Sequence, residues 1–153
     1  MSGNIAIGIQ DFSTIIQGNY FYIDKTPFIK EWWDCGDSAT LITRPRRFGK
    51  TLTMSMVEQF FSIDYAGRSD LFEHLAIWKE EKYRELQGTY PVISLSFARI
   101  KERDYEKTKQ KMCEVLRNIY IKFCYIKDSE KLTDADRAYY ERMLEENIKE
   151  TDA

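Results

Sequence analysis

The sequence predicts an α/β fold that is rich in helix and carries a small sheet. Three observations lead there. Two short apolar runs, Ala39-Thr40-Leu41-Ile42-Thr43 and Pro91-Val92-Ile93-Ser94-Leu95-Ser96-Phe97, read as strands, the first of them buried. Between them Leu52, Met56, Val57, Phe60 and Phe61 recur at helical spacing. Beyond them a long helix is expected from Asp104 to about Tyr125, with Tyr105, Thr108, Met112, Leu116, Ile119, Tyr120 and Phe123 on one face. The 153 residues are read as a single partial domain with room for a real core. At 43% hydrophobic and 14% aromatic, the chain does not have the composition of a disordered one.

The remaining elements follow from local signals. Ile5-Ala6-Ile7-Gly8-Ile9-Gln10 is a short apolar lead. Asp11 and Ser13 can cap a helix running through about Gln17. Gly18-Asn19 is a turn, and Tyr20-Phe21-Tyr22-Ile23 reads as extended. Pro27 suits the first turn of a helix, with Asp24 or Thr26 as its cap and Phe28, Ile29, Trp32 and Trp33 as its apolar stripe. Cys35-Gly36-Asp37 ends it. Residues 64–90 form a connector with short helices around Leu71–His74 and Lys79–Leu86, closed by Gly88. Thr133-Asp134-Ala135-Asp136 opens a last helix that buries Tyr139, Tyr140, Met143 and Leu144.

Several function classes are excluded early. The net charge of −2 is not that of a polybasic nucleic-acid binder, although a local patch is compatible with it. No run of about 18 apolar residues predicts a membrane span, and Met1-Ser2-Gly3-Asn4 does not open a signal peptide. Cys35, Cys113 and Cys124 are three thiols without metal-ligand spacing, as expected of a chain in a reducing cytoplasm. His74 is the only histidine and is not read as catalytic.

The chemistry concentrates in Arg44-Pro45-Arg46-Arg47-Phe48-Gly49-Lys50-Thr51, between the first expected strand and a helix. A helix N-terminus aims backbone N–H groups at a phosphate. Gly49 allows close approach, Lys50 supplies a point charge, and the Thr51 hydroxyl can ligate Mg²⁺. This is the back half of a P-loop. The front half departs from the pattern, because Arg44 stands where its first glycine belongs. Gly-Lys-Ser/Thr arises by chance in roughly one chain in a dozen of this length. From pattern alone the loop therefore reads either as a phosphate site or as a solvated basic turn. Arg46 and Arg47 read as nucleotide-phosphate contacts, as nucleic-acid contacts, or as solvated charge. Asp24-Lys25-Thr26 reads as a cap before Pro27 or as a neighbour of the nucleotide.

Longer stretches carry a resemblance. Ile7-Gly8-Ile9-Gln10-Asp11-Phe12, Tyr22-Ile23-Asp24-Lys25-Thr26, Thr43-Arg44-Pro45-Arg46-Arg47-Phe48-Gly49-Lys50-Thr51-Leu52 and Tyr90-Pro91-Val92-Ile93 resemble the opening, the Y-V-D-K-T signature, the phosphate loop and the second strand of the AAA-ATPase-like domain family. That family typically precedes a PD-(D/E)XK nuclease-like domain. The resemblance implies an incomplete P-loop NTPase-like domain that binds ATP with Mg²⁺. It also implies a Walker B strand ending in two acids. No such strand follows Phe97, and Glu145-Glu146 reads as a solvated helix face. Hydrolysis by this chain alone is therefore not expected. The rival readings are an interaction module completed by a protein partner or a missing C-terminal part, and a nucleic-acid binder using the Arg/Lys loop.

Overall fold

A computed structural model describes residues 4–45 and 47–144. The chain divides into two compact units, Met1–Val92 and Ile93–Ala153. The first begins with α1, Phe12–Gln17, where the Asp11 carboxylate accepts from the Thr14 N–H at 2.7 Å as an N-cap. Helix α2, Pro27–Cys35, starts on its proline and stops at Gly36, whose φ of +65° is left-handed. Helix α3 spans Lys50–Phe61 and is entered through Gly49 at φ +74°. Short 3₁₀ turns at Ile63–Tyr65, Ser69–Leu71 and Ala76–Lys79 then lead to α4, Glu81–Arg84.

Helix α3 is the axis of this unit. Its Met56, Phe60 and Phe61 are buried with Phe12, Ile29, Leu71, Phe72, Ile77 and Tyr83. Phe72 stacks on Phe12 and meets Phe60 edge-on, both at 5.1 Å between centroids, and Trp33 stacks on Phe61 at 5.3 Å. Such pairs contribute about 0.5–1.5 kcal/mol each beyond their buried area. The core thereby holds the C-terminal half of α3 fast, while its N-terminus stays at the surface.

The expected sheet is absent, which corrects the α/β, P-loop NTPase-like assignment. Among the described residues there is no strand, only an isolated parallel bridge between Ser62 and Tyr90. The runs at 39–43 and 91–97 are irregular, with Leu41 85% and Ile93 63% exposed. Strand preference expresses how well a side chain packs on a pleated surface. Without a paired neighbour the same residues have no ladder to join.

In the second unit, Asp104 caps α5, Tyr105–Lys122. The helix ends three residues before the expected Tyr125, and a 3₁₀ turn continues over Cys124–Asp128. Thr133 and Asp136 exchange hydrogen bonds at the start of α6, Asp134–Leu144. Tyr140 and Met143 are buried as expected, whereas Tyr139 is exposed. Tyr140 packs edge-on against Tyr120 at 4.9 Å, and its hydroxyl donates to the Tyr120 carbonyl. Glu145-Glu146 lies outside the described residues. Cys35, Cys113 and Cys124 are free thiols. No helix among the described residues is long and apolar enough to cross a membrane.

The α1 cap makes stability pH-dependent. Burial pushes the Asp11 carboxyl up, but hydrogen bonds from Ser13, Thr14 and Gln59 outweigh it and hold the group below its ordinary value. A depressed carboxyl stabilises the fold above the unfolded value of about 3.9 and loses that contribution as pH falls through the folded value. Urea midpoints should therefore fall on acidification below about pH 4. Asp11→Asn should flatten that slope without abolishing it, because Lys82, Arg68 and Thr133 hold Asp34, Asp70 and Asp136 low as well. An unchanged slope in Asp11→Asn would refute the assignment.

Candidate functional site

The N-terminus of α3 opens onto a cleft of about 950 Å³ in the first unit. Its walls differ in chemistry. Lys25, Arg47 and Lys50 bring three cations, with Gly49 and Thr51 beside them. Ile7, Phe21 and Ile23 bring apolar surface that is 90%, 63% and 69% exposed. Among the described residues no Asp or Glu lines the cleft.

The loop geometry follows from its residues. Gly49 takes the left-handed conformation that lets the chain turn into α3, and the first helical bond runs from the Thr53 N–H to the Gly49 carbonyl at 2.8 Å. Among the described residues no side chain caps this end, and its first turn holds no acid. The leading N–H groups of a helix have no partner within it and carry its positive pole. Arg47 has φ +70°, which costs a non-glycine residue roughly 1–2 kcal/mol. The Lys50 ammonium donates to the Arg44 carbonyl and so folds back over its own loop.

A second segment meets the loop. Lys25 Nζ lies 2.8 Å from where a Cβ on Gly49 would stand. The turn that carries Lys25 is tied down on both sides. Asp24 Oδ1 accepts from the Thr26 N–H at 2.8 Å and the Thr26 hydroxyl at 2.7 Å, while Oδ2 accepts from the Ala76 N–H at 2.7 Å. Thr26 is fully buried and accepts from the Ile77 N–H at 3.1 Å. The Tyr22 hydroxyl accepts from the Lys25 N–H and donates to the Met56 sulfur, each at 3.3 Å. Burial pushes the Tyr22 phenol up to about 12, so it stays neutral at physiological pH.

Against this geometry, the family model described as "Predicted AAA-ATPase" matches residues 6–153. The chain belongs to that family. This AAA-ATPase-like chain is also 33% identical over 113 residues to an "Uncharacterized protein in vnfD 5'region" of Azotobacter chroococcum mcd 1. The match covers 73% of the chain and 20% of that relative, so the chain spans about a fifth of the relative's length. No solved structure matches it.

In the AAA-ATPase-like chain the residues singled out from sequence do not all share one place. Lys25, Arg47, Gly49, Lys50 and Thr51 line the large cleft. Asp24 and Arg44 instead line a second cleft of about 210 Å³, which Lys25 also borders. Pro45 and Phe48 are exposed and line neither. Arg46 lies outside the described residues. Among the described residues no group of three or more His, Cys, Asp or Glu is placed to hold a metal, and Thr51 is the hydroxyl predicted for that role. Sequence reasoning missed Ile7, Phe21 and Tyr22 as site residues. They read as an apolar lead and an extended run, and only the fold brings them into one cleft with the loop. Gln59 was also missed. It is 2% exposed because its amide donates to Asp11 at 2.6 Å and Ser55 at 3.2 Å, ties that no periodicity reveals.

Proposed function

We propose that this chain binds a Mg-nucleotide, ATP foremost, through the variant phosphate loop at residues 44–51. The observation that carries this reading is the convergence of Lys25, Arg47 and Lys50 on the N-terminus of α3, which no side chain caps and whose cleft no carboxylate lines among the described residues. Anions are favoured at such a pole, and the backbone N–H groups there point outward to receive them. Membership of a family described as predicted AAA-ATPases supports a nucleotide as the anion. Lys50 would neutralise phosphate charge and Gly49 would let the chain come close. The Thr51 hydroxyl would contribute one oxygen to Mg²⁺, the phosphates and water completing its shell. The exposed ring of Phe21, with Ile7 and Ile23, offers the base an apolar surface.

The test is the melting transition of the chain with and without Mg-ATP. A magnesium-dependent rise is expected, whereas no rise at millimolar nucleotide would overturn the reading. Salt separates nucleotide from nucleic acid, whose affinity should fall steeply as salt rises. Phe21→Ala should weaken ATP binding by about 1–3 kcal/mol, the range measured for base–aromatic stacking. The same change should leave inorganic tripolyphosphate binding unaltered. Equal losses for both ligands would remove Phe21 from the base surface.

A further inference from the structure

We infer that Lys25 is a second phosphate-gripping ammonium, anchored in the core independently of the loop, and that it sets how strongly affinity depends on the number of phosphates. The inference rests on the nucleotide reading above and deepens it. Two ammonium groups reach the same end of α3 from different parts of the chain. Lys50 belongs to the loop and bonds the loop's own Arg44 carbonyl. Lys25 arrives from the turn before α2 and lies against the bare face of Gly49.

Both lysines stand at the positive pole of a twelve-residue helix whose first turn holds no acid. That pole disfavours cations. Among the described residues neither lysine has an ion pair to offset the repulsion. Asp24, the acid next to Lys25, does not supply one, since its two oxygens serve Thr26 and Ala76. An anion lying along Gly49 between the ammonium groups would turn a repulsive arrangement into an attractive one. Its gain would grow with each phosphate charge that comes within reach of Lys25.

The same geometry assigns roles to the neighbours. Asp24 and Tyr22 are positioning residues. One carboxylate fastens the turn to the segment at Ala76, and one phenol receives the Lys25 N–H. Gly49 is needed for its missing side chain as well as for its φ, because a Cβ would displace the Lys25 ammonium.

The experiment compares dissociation constants of AMP, ADP and ATP, each with Mg²⁺, for the wild-type chain, Lys25→Met, Lys25→Arg and Tyr22→Phe. Wild type should rank ATP over ADP over AMP. Lys25→Met should weaken ATP about tenfold or more, a typical loss for a charge-assisted hydrogen bond, and AMP hardly at all. Lys25→Arg should restore most of the ranking. Tyr22→Phe should compress it in the same direction by a smaller factor, a change that a purely structural phenol would not produce. If Lys25→Met melts early, Lys25→Gln replaces it in the same comparison. Equal loss for all three nucleotides, or no loss, with wild-type binding intact would overturn the role of Lys25 and leave the nucleotide reading standing. Wild-type chain that binds none of the three would overturn both.

Discussion

Lys50→Ala should abolish the stabilisation that Mg-ATP confers. A ligand at a hundredfold over its dissociation constant adds about 2.7 kcal/mol to the folded state. For a chain of this size that is a rise of roughly 5–10 °C in the melting temperature. Lys50 is the loop's own ammonium, and without it the phosphates would meet, among the described groups of the cleft, the α3 N–H groups, Arg47 and Lys25. The ligand-free melt of Lys50→Ala should stay within about 0.5 kcal/mol of wild type, as is usual for substitutions outside the core, because Lys50 is only half-buried. Two features support this. The bond that Lys50 makes is to the carbonyl of an exposed residue, which water can serve instead, and alanine is the best helix former. Lys50→Arg keeps the charge but spreads it over a planar fork, so partial recovery is expected. A variant whose melting temperature rises with Mg-ATP as far as wild type would show that the loop does not hold the phosphates.

Gly88→Ala should be the more damaging change to the fold, costing on the order of 3 kcal/mol for one added methyl group. Gly88 has φ +69°, where an L side chain is strained. A Cβ there would stand 2.5 Å from the Ala66 Cα and 3.0 Å from the Ala66 N, both backbone atoms that cannot rotate away. The close approach has a structural purpose. Gly88 donates its N–H to the Phe60 carbonyl at 2.8 Å, and two residues on Tyr90 and Ile63 bond across at 2.9 Å. These contacts fasten the returning connector to the C-terminal end of α3, whose other end forms the candidate site. Gly67 supplies the control. Its φ is +77°, yet nothing lies within 4 Å of its would-be Cβ. Gly67→Ala should therefore show only the backbone strain, about 1 kcal/mol. Urea midpoints of the two variants, measured at one pH, should differ by the cost of the overlap. Equal midpoints would mean that the Ala66 backbone yields freely.

Much of the helical framework is legible in the sequence. Asp11 announced α1, Pro27 and Gly36 bracketed α2, and the spacing of Met56, Phe60 and Phe61 showed which face of α3 is buried. These signals act within one or two helical turns, so the chain carries them locally. The strands failed for the opposite reason. Ala39–Thr43 and Pro91–Phe97 have strand composition, but a strand exists only as a pair, and pairing is decided by residues far away in sequence. The 3₁₀ turns of the connector fell near the expected helices without matching their bounds, since short turns are shaped by what they pack against.

The candidate site divides along the same line. That Gly49-Lys50-Thr51 stands at the head of a helix was readable because the apolar spacing of Leu52, Met56, Val57, Phe60 and Phe61 begins just beyond it. The resemblance of residues 43–52 to a phosphate loop, and the membership of residues 6–153 in the predicted AAA-ATPase family, depend on residue order alone. What the tertiary structure decided is which distant groups meet that loop. It bonded Asp24 to Thr26 and Ala76, set the Lys25 ammonium against Gly49, and brought Ile7 and Phe21 into the same cleft. Charges and rings from separate segments converge only after burial of the Phe12, Phe60 and Phe72 cluster has fixed the backbones that carry them, and no local pattern encodes that convergence.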